Sequence, residues 1–192
     1  MNLGIQINKE LIGNLLILLA ERCKPLYHTK MMKLLFLIDQ KATLEKGAPL
    51  TWLEYKAWKR GPVSQDLFYS KNEGHNKFSN YVHFDKKDKH NSVLVRPIRD
   101  FDDSEFSEWD LEIIEKVLSV YGQKTADELI QVTHEKDSLW YKTISKSGVK
   151  FSTDNQTSDE VLNFLELIDD DGFKKSIYFS TLENLELKST LK

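Results

Sequence analysis

Apolar and polar positions alternate with two different periods along this chain. Leu11, Leu15, Leu18 and Leu19 recur at helical spacing and predict a helix over Lys9 to Arg22, stopped by Pro25. Thr29 is expected to cap a second helix running through Lys46, with Gly47 as its left-handed C-terminal residue. Met31, Leu34, Leu35, Ile38 and Ala42 form one stripe on it. Phe36 and Leu37 widen that stripe beyond what a surface helix needs, so this helix is read as central and mostly buried.

The period then shortens. Pro49 and the run Trp52 to Trp58 read as a turn and a strand. Trp52, Glu54, Lys56 and Trp58 fall on one face, and Leu53, Tyr55 and Ala57 on the other. Gly61-Pro62 ends the strand, and Pro62 suits the start of a third helix from Val63 to about Asn72. Two β-rich runs, 78–84 and 92–98, flank the polar stretch 85–91 as a hairpin would.

Helical spacing returns in the second half. Ser107 caps a helix with Trp109, Ile113, Val117 and Val120 along one side, closed by Gly122. Thr125 and Glu128 form a capping-box pair before Leu129 and Ile130. Thr157 and Glu160 repeat the signature before Val161, Phe164, Leu165 and Ile168, which predicts another helix. Residues 169–192 carry no clear period, so partial order with one more short strand or helix is expected. The fold class is α+β, mainly α-helical with a small antiparallel β-hairpin. Residues 1–145 are read as one domain, with 146–192 a C-terminal helical extension packed on it.

Composition narrows the class. The chain has 192 residues, 40% hydrophobic and 30% charged, which suffices for a buried core and argues against disorder. The single cysteine, Cys23, permits no internal disulfide and points to a reducing compartment. The apolar stretch Leu15 to Ala20 is too short to cross a bilayer and follows no basic leader, so a soluble cytoplasmic protein is expected. Charge is uneven. Residues 1–96 carry 16 Lys/Arg against 9 Asp/Glu, whereas residues 97–192 carry 11 against 21. Such a split marks either an interaction surface or two parts that attract each other.

Candidate chemistry is sparse. His28, His75, His83, His90 and His134 lack ligand-pair spacing, and no glycine-rich phosphate loop occurs. Cys23 with His28 could in principle serve as nucleophile and base, but a lone buried thiol is more often inert. Asp169, Asp170 and Asp171 read as a solvated loop before they read as a cation site. No enzyme activity and no cofactor are expected.

Two blocks carry a resemblance. The first joins Lys33, Leu34, Leu35, Phe36 and Asp39 to Gly47, Pro49, Tyr55, Ala57, Gly61, Pro62 and Val63. The second holds Tyr121, Gly122, Leu129, His134 and Trp140. Over roughly residues 10–142 the chain resembles the Panacea family, the SocA-like antitoxin domain also found in phage-associated proteins. Phe36 departs from it, standing where a tyrosine is common. The resemblance implies an antitoxin that binds and neutralises a cognate toxin protein from a neighbouring gene. Most matched positions are read as scaffold.

The partner-binding candidates are Trp52, Tyr55, Trp58, Lys59 and Arg60, an aromatic-basic strand of the residue types that dominate interfaces. Trp52 and Trp58 fit a buried core strand equally well. A toxin with a basic cleft would instead favour contact by Asp100, Asp102, Asp103 and Glu105. Two alternatives stand beside the antitoxin reading. One is a winged-helix-like nucleic-acid binder, with helix 63–72 and a hairpin tip of Lys86, Lys87, Lys89 and His90, also possible as accessory DNA binding. The other is a proteolytic adaptor, which shares the partner-binding step.

Overall fold

The computed structural model describes residues 6–72, 74–86 and 92–190. Among these, seven α-helices surround one apolar core, and two small antiparallel sheets of two strands each lie against it. Helix α1 (Lys9–Arg22) starts at Asn8, whose side chain accepts from the Glu10 and Leu11 amides. It is buried along most of its length from Leu11 to Ala20.

Helix α2 (His28–Lys46) is the centre of the molecule and packs against elements from both halves of the chain. The expected cap at Thr29 moves back two residues to Tyr27, while Gly47 closes the helix at φ 90° as anticipated. Met31, Leu34, Leu35, Phe36 and Ile38 are all buried. Burying each such side chain contributes roughly 1.5–3 kcal/mol, which makes α2 the main hydrophobic support of the fold.

Beyond α2 the chain forms β1 (Lys56–Trp58) and β2 (Gly61–Val63), an antiparallel pair joined by Lys59 and Arg60. Gly61-Pro62-Val63 was expected to end the strand and open a helix. It is the returning strand instead, and helix α3 shrinks to Gln65–Ser70. Proline is tolerated there because an edge strand of a two-stranded sheet does not require its missing N–H. Strands β3 (Val82–Lys86) and β4 (Val93–Pro97) pair as the alternation predicts. Lys87, Lys89 and His90 of the suggested basic tip lie outside the described residues.

Helix α4 (Glu108–Tyr121) opens with a complete capping box between Ser107 and Asp110. Its inner face is Ile113, Ile114, Val117 and Leu118; Trp109 and Val120 point outward, 46% and 58% exposed. The expected stripe is thus rotated about the helix axis, because α2 packs against the face centred between Ile113 and Leu118. The Trp109 ring instead receives the Lys46 ammonium at 4.9 Å. Helix α5 (Ala126–His134) forms from its capping box, with Leu129 buried and Ile130 half-buried, and α6 (Leu139–Ser147) follows.

The second expected box, Thr157 to Glu160, forms no helix. That segment is extended along the free edge of β1: Ala57 N–H donates to Glu160, Lys59 N–H to Gln156, and Leu162 N–H to Tyr55. An edge strand presents unpaired amides and carbonyls that must find partners, and this demand outweighs a local capping preference. Only a 3-10 turn, Phe164–Leu167, survives from the predicted helix. Residues 172–190, expected to be partly ordered, form the 19-residue helix α7 (Gly172–Thr190).

Ion pairs join the basic first half to the acidic second: Arg22 with Glu115, Lys46 with Asp110, Lys56 with Asp159, and Arg60 with Asp127. The charge split therefore serves contacts within the chain. Among the described residues, no helix is long and apolar enough to cross a membrane.

Candidate functional site

The five candidate residues separate into two groups. Trp52 and Tyr55 are core. Trp52 takes a left-handed backbone (φ 54°), which breaks the expected alternation and turns its ring inward onto Tyr178 of α7 at 4.9 Å. Tyr55 is fully buried and donates its hydroxyl to Asp39 Oδ2 at 2.8 Å. Neither side chain is available to a partner. Trp58 is half-buried, and Lys59 and Arg60 are exposed at the hairpin tip.

The tip is clamped from behind by the second motif block. Trp140 donates its indole N–H to the Trp58 carbonyl at 2.9 Å, and His134 Nε2 lies 3.1 Å from the Lys59 carbonyl. Nδ1 of the same imidazole lies 2.6 Å from the Ile130 carbonyl, so a neutral ring donates to one of the two, and the ring packs tilted at 47° against Trp140 with centres 3.8 Å apart. From α2, Lys33 Nζ donates to the Pro62 carbonyl at 2.7 Å. Gly61 is required at the turn. Its φ is +94°, and a β-carbon there would lie 2.7 Å from Thr133 Oγ1 and 3.0 Å from Lys33 Nζ.

Asp39 anchors the loop that precedes the hairpin. Its carboxylate, fully buried, accepts from the Thr51 amide and hydroxyl as well as from Tyr55. Burial pushes this carboxyl up from its ordinary 3.8 to about 6, against the opposing pull of those hydrogen bonds. Residues 33, 39, 55, 61, 134 and 140 therefore form one support that fixes the hairpin on α2.

What the support presents outward is basic. Arg60 pairs with Asp127 at 3.0 Å, and Lys59 reaches the Ser152 carbonyl at 3.0 Å. An exposed ion pair such as Arg60–Asp127 contributes roughly 0–1 kcal/mol, so Arg60 is free to exchange its partner at little cost. Asp127 and Ser152 were not singled out by sequence reasoning; no periodicity or motif places residues so distant in sequence beside the tip.

The arrangement offers little for chemistry. Cys23 is buried, and desolvation raises its thiol pKa, the opposite of what a nucleophile needs. No group of three or more His, Cys, Asp or Glu among the described residues is placed to hold a metal ion.

The hairpin, its His134–Trp140 brace and most of the central helix all fall within the stretch that matches a known family. Residues 31–141 match the family of SocA-like antitoxins built on the Panacea domain, and the chain belongs to it. Among curated proteins it is similar to Antitoxin SocA of Caulobacter vibrioides (strain NA1000 / CB15N). The two are 27% identical over 142 residues, which take 72% of this chain and 70% of the relative. No solved structure matches.

Proposed function

We propose that this protein is an antitoxin that neutralises a cognate protein toxin by stoichiometric binding, with the β1–β2 tip at Trp58, Lys59 and Arg60 in the contact. Membership of the SocA-like antitoxin family over residues 31–141 is the observation that carries this reading. The geometry supports it in a specific way. The motif residues are spent on holding the hairpin rigid, and a rigid platform lowers the ordering cost that an interface must meet. Arginine and tryptophan at its end are residue types that dominate binding energy. In this reading the protein is not an enzyme: it acts by occupancy, and a buried unactivated thiol supplies no nucleophile.

Rescue in trans tests the proposal. Cells expressing the toxin encoded beside this gene should regain growth when this protein is co-expressed, and the two should co-purify. Failure of both growth and association would remove the antitoxin reading.

A further inference from the structure

Between α2, the hairpin and α3 lies a cleft of about 280 Å³. Lys33 lines its α2 wall, Trp58 and Phe68 contribute aromatic surface, and Lys59, Arg60 and Lys71 add three further cations. Among the described residues, none of those lining it is Asp or Glu. Lys33 is 1% exposed, and among the described residues it has no carboxylate partner; the Pro62 carbonyl takes one of its three protons. A buried ammonium without a counter-charge is costly, and such groups are ordinarily paired. Trp58, which also lines the cleft, carries a second such group. The indole N–H of Trp58 is buried and has no acceptor among the described residues.

We propose that this cleft binds a small anion, a carboxylate or phosphate carried on a flat ring. The anion is the counter-charge of Lys33 and an acceptor for the donors around it, while the ring lies against Trp58, the Phe68 ring carrying the Lys71 ammonium at 3.7 Å. Charge-assisted bonds to an ammonium in a dry site are stronger than neutral ones, and apolar walls with a few polar groups are typical of small-molecule sites. Aromatic faces add the preference for a ring over a bare ion. Burial and the neighbouring Arg60 charge lower Lys33 to about 7, so a nearby anion would favour its charged form. His28, also on the wall, is lowered to about 4 by burial and stays neutral, so the charge comes from the lysines and Arg60. This site shares Trp58, Lys59 and Arg60 with the proposed toxin contact, but its test needs the chain alone.

Nuclear magnetic resonance titration of the full chain provides that test. The probes are phenyl phosphate and benzoate, with inorganic phosphate and benzyl alcohol carrying only the charge or only the ring. Phenyl phosphate or benzoate should shift the Trp58 indole N–H saturably, about tenfold more tightly than either half-probe, and the stronger of the two identifies the preferred head group. Lys33→Met should weaken that binding by about tenfold, a single charge-assisted contact. Should Lys33→Met melt early, the exposed Arg60→Ser gives the second reading, with binding weakened severalfold. The proposal is overturned if neither ringed anion shifts Trp58, if inorganic phosphate binds equally well, or if binding survives the folded variants unchanged.

Discussion

Trp140 donates its indole N–H to the carbonyl oxygen of Trp58 at 2.9 Å, which fixes helix α6 to the strand that leads into the hairpin tip. The bond is long-range in sequence and short in space. Beside it, His134 Nε2 lies 3.1 Å from the next carbonyl along, that of Lys59. Together they set the direction in which Lys59 and Arg60 leave the fold.

Replacing Trp140 by Phe keeps an aromatic ring beside His134 and removes the donor. The Trp58 carbonyl then loses its side-chain partner, and the expected loss is about 1–3 kcal/mol in chemical denaturation. Hydrogen exchange should localise the effect. Amides of residues 58–61 are expected to exchange faster, while those of buried α1 keep the protection set by global stability.

Asp39 gives a pH signature of known sign. Its folded pKa, about 6, lies above the ordinary 3.8, so the folded state holds the extra proton between those values. Its contribution to stability is complete below about pH 3.8 and is lost as pH rises through about 6, on the order of 3 kcal/mol. Asp39→Asn should flatten that part of the stability–pH curve. Tyr55→Phe removes a donor to the carboxylate, so the decline should extend to higher pH. Urea denaturation from pH 4 to 8 measures both.

Charge reversal decides which face meets the partner. Lys59→Glu with Arg60→Glu should slow association with the toxin and leave dissociation less affected, a loss that shrinks at high salt. Asp102→Lys with Asp103→Lys is expected to change little. The opposite pattern in stopped-flow or surface-binding kinetics would place the contact on the acidic segment after β4.

Much of this architecture is visible in the sequence where local signals are strong. α1 falls on its expected bounds, and the boxes at Ser107 and Thr125 form because each satisfies the first amides of its own helix. Thr157-to-Glu160 carries the same signal and fails, since the edge of β1 offers backbone partners that a local pattern cannot reveal. Gly61-Pro62 misleads for a related reason: proline at a helix start and proline on an edge strand look alike until the pairing partner is known. At the candidate site, alternation separates the inward Leu53, Tyr55 and Ala57 from the less buried Glu54, Lys56 and Trp58. Trp52 escapes it because its left-handed backbone breaks the strand period. The clamp by His134 and Trp140, and the burial of the Lys33 ammonium against the Pro62 carbonyl, depend on contacts between residues tens of positions apart. Periodicity carries no record of those.

Neutralisation by occupancy is the central claim, and titration of the purified toxin tests it most directly. Calorimetry and the toxin's own activity should be followed in the same series of additions. Heat release and loss of activity are expected to reach their end points together at one fixed molar ratio, and excess toxin should stay active. Complete silencing by a substoichiometric amount of this protein, or loss of activity without binding heat, would contradict the account.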